Sequence, residues 1–123
     1  KIHNVRVTQA DLAYTGSITI DEKLMKAADI LPYERVQVVD LTNGARLETY
    51  VIKGRQGSGI ICMNGPAAHL IRKGDTISIM SYGEIEDSAL AHFKPRVVFV
   101  NKKNKIEKIV EKENQKDMRD TGC

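Results

Sequence analysis

The sequence predicts one small, mostly-β domain in which short strands close into a β-barrel. Most of its periodic segments alternate apolar and polar residues with period two, as half-buried strands do. These segments follow one another about every 10–20 residues across short turns, which favours a barrel over alternating βαβ units. A chain of 123 residues is long enough to bury one core without metal or disulfide staples.

The strand predictions depend on alternation and on one hairpin signal. Asn43-Gly44 is typical of a tight turn in which both central residues take positive φ, and it separates strands predicted at residues 36–41 and 46–52. Four further strands are predicted at residues 2–7, 59–63, 76–81 and 96–100.

The helical signals are short. Asp21 is a good N-cap, an apolar face follows it, and Pro32 is expected to end that helix. Residues 65–70 predict about one helical turn with Pro66 near its start. Residues 84–90 predict another.

The charge pattern separates a body from a tail. Residues 101–123 carry seven basic and five acidic side chains, so the formal charge of +3 owes much to the tail, and the body, residues 1–100, is nearly neutral. We expect residues 1–100 to form the barrel and residues 101–123 to be a charged, partly disordered tail. The composition makes only a weak case for a nucleic-acid partner.

No apolar run approaches the roughly 20 residues of a membrane span, and no secretory segment is evident. We therefore expect a cytoplasmic protein without a membrane partner. Because the sequence opens on Lys1 rather than Met, we also expect residues to precede it.

Metal and phosphate sites find little support. Cys62 and Cys123 lack metal-ligand spacing, and the three histidines are far apart. We therefore expect a buried Cys62 and no bound metal. The glycine-rich residues 54–59 lack the Lys-Ser/Thr ending of a P-loop and are interpreted as a flexible hairpin connection.

Two Gly-Ser peptides, Gly16-Ser17 and Gly57-Ser58, offer a more specific chemistry. A serine hydroxyl can attack the preceding carbonyl and form an ester, and glycine permits the backbone geometry of that attack. β-Elimination then leaves dehydroalanine, which hydrolyses to an N-terminal pyruvoyl group. That ketone can form a Schiff base with an amine and act as an electron sink, as pyridoxal phosphate does.

The surroundings choose between the two peptides. Four segments matter, and they occur in the order and at the spacing found in one known family. They are residues 1–3 (Lys-Ile-His), residues 11–21 around Gly16-Ser17, residues 42–50 with their Asn-Gly and Thr-Tyr pairs, and residues 60–69 with Asn-Gly-Pro-Ala-Ala. Together they resemble the aspartate 1-decarboxylase family of pyruvoyl-dependent carboxy-lyases. The resemblance runs from Lys1 to about Asn101.

The resemblance implies a zymogen that cleaves itself between Gly16 and Ser17 into a β chain, residues 1–16, and an α chain, residues 17–123. The pyruvoyl group made from Ser17 would bind L-aspartate as a Schiff base, with no metal and no pyridoxal phosphate. The products would be CO2 and β-alanine for pantothenate and coenzyme A biosynthesis. The family implies a double-psi β-barrel, a homotetramer with sites near subunit boundaries, and in some cases a maturation factor.

Site residues follow from the matched positions. Tyr50 would be the proton donor, Thr49 would assist cleavage and contact substrate, and Arg46 would bind a substrate carboxylate. The remaining matched positions are the substrate-side Lys1 and His3 and the pocket residues Asn64, Gly65, Pro66 and Ala67.

Two features complicate this assignment. Thr49 and Tyr50 point to opposite faces of a regular strand, so both reach one site only if the strand bends or if different subunits contribute. Pro66 stands where the family often has alanine, and because proline lacks an N–H, backbone donation there would fall to Gly65 and Ala67.

Two other functions fit the sequence less well. The same fold and processing could act on another acidic amino acid. A non-enzymatic barrel could bind single-stranded nucleic acid, but two Phe, four Tyr and no Trp leave few stacking platforms.

Overall fold

A computed structural model describes residues 1–112; the predictions for Cys123 and for the end of the tail lie outside these residues. The described chain forms nine strands. They are β1 (Ile2–Arg6), β2 (Gln9–Asp11), β3 (Ser17–Asp21), β4 (Arg35–Asp40), β5 (Arg46–Gly54), β6 (Ile61–Asn64), β7 (Thr76–Met80), β8 (Val97–Val100) and β9 (Ile106–Val110). One α-helix, α1 (Glu22–Ala28), and two 3₁₀ helices, Gly65–His69 and Asp87–His92, complete it.

The strands form one mixed sheet in the order β2-β6-β3-β5-β4-β7-β1-β8-β9. Contacts between distant strands curl this sheet. The Thr8 N–H donates to the Ile61 carbonyl of β6 at 2.8 Å, and the Asn104 side-chain amide donates to the carbonyls of Arg6 and Gly59 at 2.8 and 2.9 Å. Because these bonds join strands from both halves of the order, the sheet closes into the small barrel that the alternation predicts.

All six predicted strands are present, whereas β2, β3 and β9 were not predicted. β4 and β5 pair antiparallel across the Asn43-Gly44 turn as expected. The expected backbone of that turn is wrong, since of the pair only Gly44 takes a positive φ, at +77°. The loop is wider than two residues, and the Asp40 carboxylate accepts the N–H groups of Thr42 and Asn43 at 2.7 and 3.3 Å.

Helix α1 begins at its predicted cap but ends earlier than predicted. Asp21 accepts the Lys23 N–H at 2.8 Å, as an N-cap should. The helix ends at Asp29, whose left-handed backbone (φ 58°) turns the chain before Pro32 is reached. The helical turn predicted at residues 65–70 is the first 3₁₀ helix. The one predicted at residues 84–90 is the second, shifted to Asp87–His92.

The core fills the barrel with aliphatic side chains. Its fully buried members include Ile18 and Ile20 of β3, Val51 of β5, and Ile61 and Met63 of β6. Burying each side chain of this size stabilises the fold by roughly 1.5–3 kcal/mol. The strands that carry Ser17 and Asn64 are therefore anchored in the core on their other face.

The sheet extends beyond the predicted boundary at residue 100. Strand β9 pairs antiparallel with β8, with Val98 opposite Ile109 and Val97 opposite Val110. Ile106, Ile109 and Val110 have the spacing of a helical stripe, but β8 offers an open edge whose N–H and C=O groups β9 satisfies. The first ten residues assigned to the tail thus belong to the barrel.

Candidate active site

Ser17 is the first residue of β3, and its side chain is 0% exposed. β3 runs antiparallel to β6 with Ser17 opposite Asn64 and Thr19 opposite Cys62, so these four side chains share one face of the sheet. The Asn64 amide nitrogen Nδ2 donates to Ser17 Oγ at 2.9 Å and to Thr19 Oγ1 at 3.0 Å. Ser17 Oγ is in turn 3.4 Å from the Thr15 carbonyl, to which it donates.

The other end of the Asn64 amide meets a thiol. Cys62 Sγ donates to Asn64 Oδ1 at 3.1 Å, and Cys62 is 6% exposed. Burial and, secondarily, the negative charge of Asp11 raise the pKa of the Cys62 thiol, so it stays protonated and available as a donor at neutral pH. The expectation of a buried Cys62 is confirmed.

Gly65 brings the loop after β6 against the Gly16–Ser17 peptide. Its φ is +68°, and a Cβ built there would lie 2.8 Å from both N and Cα of Gly16 and from the Tyr14 carbonyl oxygen. Pro66 follows closely, since its Cδ would be 3.5 Å from a Cβ on Gly16. Only glycine allows this approach at residue 65, because any side chain would displace residues 14–16.

Tyr50 lies beside Ser17 within the same chain. β5 is parallel to β3 with Val51 in register with Ile18, and continuing that register by one residue sets Tyr50 beside Ser17. Tyr50 is 38% exposed. Thr49 alternates to the opposite face of β5, across from Val36 of β4, and the pairing of β5 with both neighbours continues without a register shift.

His3 and Arg46 lie elsewhere on the barrel. Three strands, β5, β4 and β7, separate β3 from β1 in the sheet. His3 and Arg46 instead line a separate cavity of about 320 Å³ together with Asn4 and Ser78, and the His3 ring packs 5.2 Å from that of Phe99. Lys1 lines another cavity, of about 580 Å³.

The candidate residues from the sequence therefore divide into two groups. One group lies around the Gly16–Ser17 peptide and consists of Gly16, Ser17, Tyr50, Asn64, Gly65 and Pro66. Ala67 follows in the 3₁₀ helix. Lys1, His3 and Arg46 do not join them within one chain. Thr19 and Cys62 belong to the first group but were missed, because only the β3–β6 register brings them to Asn64.

The glycine-rich loop at residues 54–59 binds a carboxylate of the chain itself. The N–H groups of Gly57 and Gly59 donate to the two oxygens of Asp21, each at 2.8 Å. Asp21 is 2% exposed. The loop is thus a structural connection, as predicted, and its amides are turned inward. It does not join a hairpin, however, since β3 lies between β5 and β6 in the sheet. Because the loop amides hold Asp21, the loop is fixed rather than flexible.

Within residues 1–112, no three His, Cys, Asp or Glu side chains cluster as metal ligands would. None of the helices in this part of the chain has the length and apolar character needed to cross a membrane.

Comparison with known proteins assigns the family. The profile of the aspartate decarboxylase family matches residues 1–107. The aspartate 1-decarboxylase of Acetivibrio thermocellus is 60% identical over 106 residues, covering 86% of this chain and 84% of that protein. That of Clostridium novyi is 56% identical over 109 residues, covering 89% of each.

A solved structure supports the fold independently. The rationally designed double-psi β-barrel mkDPBB_sym_86 superposes with a TM-score of 0.51 at 14% identity, covering 66% of this chain and 95% of that one. At that identity the likeness concerns the fold alone, and it confirms the mostly-β, double-psi barrel. On the match of its sequence to the family profile and to these relatives, the chain belongs to the aspartate decarboxylase family.

Proposed function

We propose that this chain is a self-processing, pyruvoyl-dependent enzyme that converts L-aspartate to β-alanine and CO2. The observation that carries the proposal is the setting of Ser17, which is 0% exposed and receives an amide N–H at 2.9 Å. Gly65 packs against the adjacent Gly16. A buried hydroxyl held beside its own preceding peptide is suited to attack that peptide. Family membership supports the same reaction.

Cleavage would use only atoms of the chain and one water. Ser17 Oγ attacks the Gly16 carbonyl carbon, the C–N bond breaks, and the hydroxyl proton passes to the nitrogen of Ser17. The Cα proton of residue 17 then leaves, the Cβ–Oγ bond breaks, and Gly16 departs as a carboxylate. Hydrolysis of the dehydroalanine releases ammonia and leaves the pyruvoyl ketone. The β chain is residues 1–16 and the α chain residues 17–123.

The pyruvoyl carbonyl supplies an electron sink for decarboxylation of a bound amino acid. Tyr50, beside residue 17 in the β3–β5 register, would return a proton to the α-carbon. A phenol has a reference pKa of about 10, so it is protonated at neutral pH and can donate within hydrogen-bond reach. Asn64, Gly65, Pro66 and Ala67 would line the pocket.

The substrate's carboxylates require cations, and we assign them to Arg46, His3 and Lys1 of a neighbouring subunit. Four residues of extended strand set Arg46 about 13 Å from Tyr50, and Arg46 lines a cavity with His3, so we assign it to the site of a neighbouring subunit. Thr49 lies on the face of β5 opposite to Tyr50 and across from Val36, and we assign it to the site of a neighbouring subunit as well.

The assembly proposed is a homotetramer. Large apolar side chains stand exposed near the candidate site, among them Leu12 and Tyr14 at 58% and 50%. Exposed apolar patches of this kind mark association surfaces. The proposal also includes a cytoplasmic role in pantothenate and coenzyme A biosynthesis, which family membership supports.

Decarboxylation assays on the purified chain test the proposal. The wild type should release β-alanine from L-aspartate, and Ser17→Ala should not. Tyr50→Phe should cleave but lose turnover by about a hundredfold or more, as for a missing general acid. Ser58→Ala, in the second Gly-Ser peptide, is the matched control and should keep wild-type activity.

Two results would change the assignment. Faster release of CO2 from L-glutamate would move the substrate to another acidic amino acid. If the wild-type chain were cleaved and formed no product from either substrate, the proposed decarboxylase activity would be overturned. Addition of cell extract to an uncleaved chain would reveal dependence on a maturation factor.

A further inference from the structure

The Cys62 thiol lies at the end of a hydrogen-bond chain that reaches the reacting serine. The thiol donates to Asn64 Oδ1 at 3.1 Å, and Nδ2 of the same amide donates to Ser17 Oγ at 2.9 Å. Cys62 and Asn64 are 6% and 4% exposed. Every polar atom of the Asn64 side chain is thus satisfied inside the protein, without a water.

The orientation of the Asn64 amide decides whether Ser17 Oγ faces its N–H group or its carbonyl oxygen. A protonated thiol is a weak donor and a weak acceptor. Here it donates to Oδ1 at 3.1 Å and so pairs with the oxygen end of the amide. The nitrogen end then faces Ser17 Oγ and Thr19 Oγ1. The Thr19 hydroxyl can accept or donate and imposes neither orientation. Ser17 favours the same orientation only through its long hydrogen bond to the Thr15 carbonyl, at 3.4 Å.

The orientation matters for the proposed cleavage. In the elimination step, Oγ of Ser17 leaves carbon and carries the new negative charge of the Gly16 carboxylate. An N–H aimed at that oxygen stabilises the charge as it develops. An amide oxygen in the same place would repel it.

We propose that Cys62 is a positioning residue for self-cleavage, holding the Asn64 amide so that its N–H points at Ser17 Oγ. This inference rests on the proposed function, since it concerns the same bond. Without a donor at residue 62, either orientation of the amide leaves one buried polar end unpaired. The amide then no longer holds one orientation.

The test compares two substitutions that both shorten the side chain and differ by one hydroxyl. Cys62→Ala removes the donor, whereas Cys62→Ser keeps one. We expect the cleavage half-time, followed by intact mass, to lengthen about tenfold in Cys62→Ala, the size of one hydrogen bond. Cys62→Ser should stay within about threefold of the wild type on the same grounds.

A structural role would give a different pattern. If packing alone mattered, Ala and Ser would slow cleavage equally, which would overturn the inference, as would a wild-type rate in Cys62→Ala. Cys62→Val fills the volume of the cysteine without supplying a donor, so its self-cleavage should also be slow. This variant replaces Cys62→Ala in the test if the alanine variant does not fold. A wild-type chain that never cleaves would overturn the proposed function itself, and this inference with it.

Discussion

At Gly65 the backbone determines where residues 14–16 can lie. Its positive φ costs a side-chain-bearing residue about 1–2 kcal/mol. In addition, a Cβ would approach Gly16 and the Tyr14 carbonyl to 2.8 Å. Both contacts are with backbone, so the Gly16–Ser17 peptide would have to move.

We therefore expect Gly65→Ala to slow self-cleavage at least tenfold, because a displacement of this order disrupts the attack geometry. Intact mass against time gives the rate. Gly74→Ala is the matched control, since Gly74 also has a positive φ (+93°) but open space around it. Equal slowing by both substitutions would show that backbone strain, rather than contact with Gly16, is responsible.

The residues around Ser17 were predictable to different degrees. Ser17, Asn64 and Gly65 lie in segments whose sequence resembles the family, so they could be named before the structure. Cys62 could be assigned only as a buried small residue. Its hydrogen bond depends on the register of β6 against β3, which no local pattern specifies.

At the scale of elements, Asp21 joins three pieces of structure. It caps α1, ends β3 and holds the loop at residues 54–59 through Gly57 and Gly59. Hydrogen bonds from buried N–H groups to a carboxylate are among the stronger ones. The loop between β5 and β6, and with it the start of β6, is therefore tied to the end of β3.

Asp21→Ala should lower the free energy of unfolding by about 3 kcal/mol, since it leaves buried N–H groups unpaired and removes a helix cap. Urea denaturation measures this. Glu22→Gln, which removes the ion pairs of the half-buried Glu22 with the exposed Lys26 and Lys53, should change stability little. If Asp21→Ala lowered the free energy of unfolding as little as Glu22→Gln, the Asp21 carboxylate would not hold these elements together.

Six strands were predicted, β1 and β4 from period-two alternation and the β4–β5 pair from the Asn43-Gly44 turn, while β2, β3 and β9 escaped. Strand β3 begins directly at Ser17 and β2 has only three residues, so neither offers a long pattern. Strand β9 has apolar residues at helix-like spacing and becomes a strand because β8 needs a partner. Tertiary contacts, rather than local preference, decide these elements.

Across the whole molecule, Arg46 and His3 lie in a cavity apart from Ser17, which supports the proposal that a second chain supplies them. Three strands separate the β1 of His3 from the β3 of Ser17, and Arg46 stands at the end of β5 opposite to the residues that pair with β3. Resemblance named all of these residues, but one sequence could not indicate which chain supplies each.

Mixed assemblies test this division. Ser17→Ala and Arg46→Ala should each be inactive alone, since one lacks the pyruvoyl group and the other a substrate cation. Chains co-expressed in equal amounts should regain about a quarter of wild-type activity, because random pairing in a symmetric oligomer joins two intact halves at that frequency. No recovery would place the site within one chain.

The intact mass of the purified protein shows whether Ser17 has become a pyruvoyl group. We expect two fragments, residues 1–16 and residues 17–123, with the larger one lacking a free amino group because it begins with a pyruvoyl group. Ser17→Ala should remain one chain, and Ser58→Ala should be cut like the wild type. A wild-type protein that forms β-alanine from L-aspartate while remaining a single uncut chain would show that the reaction needs no pyruvoyl group from Ser17.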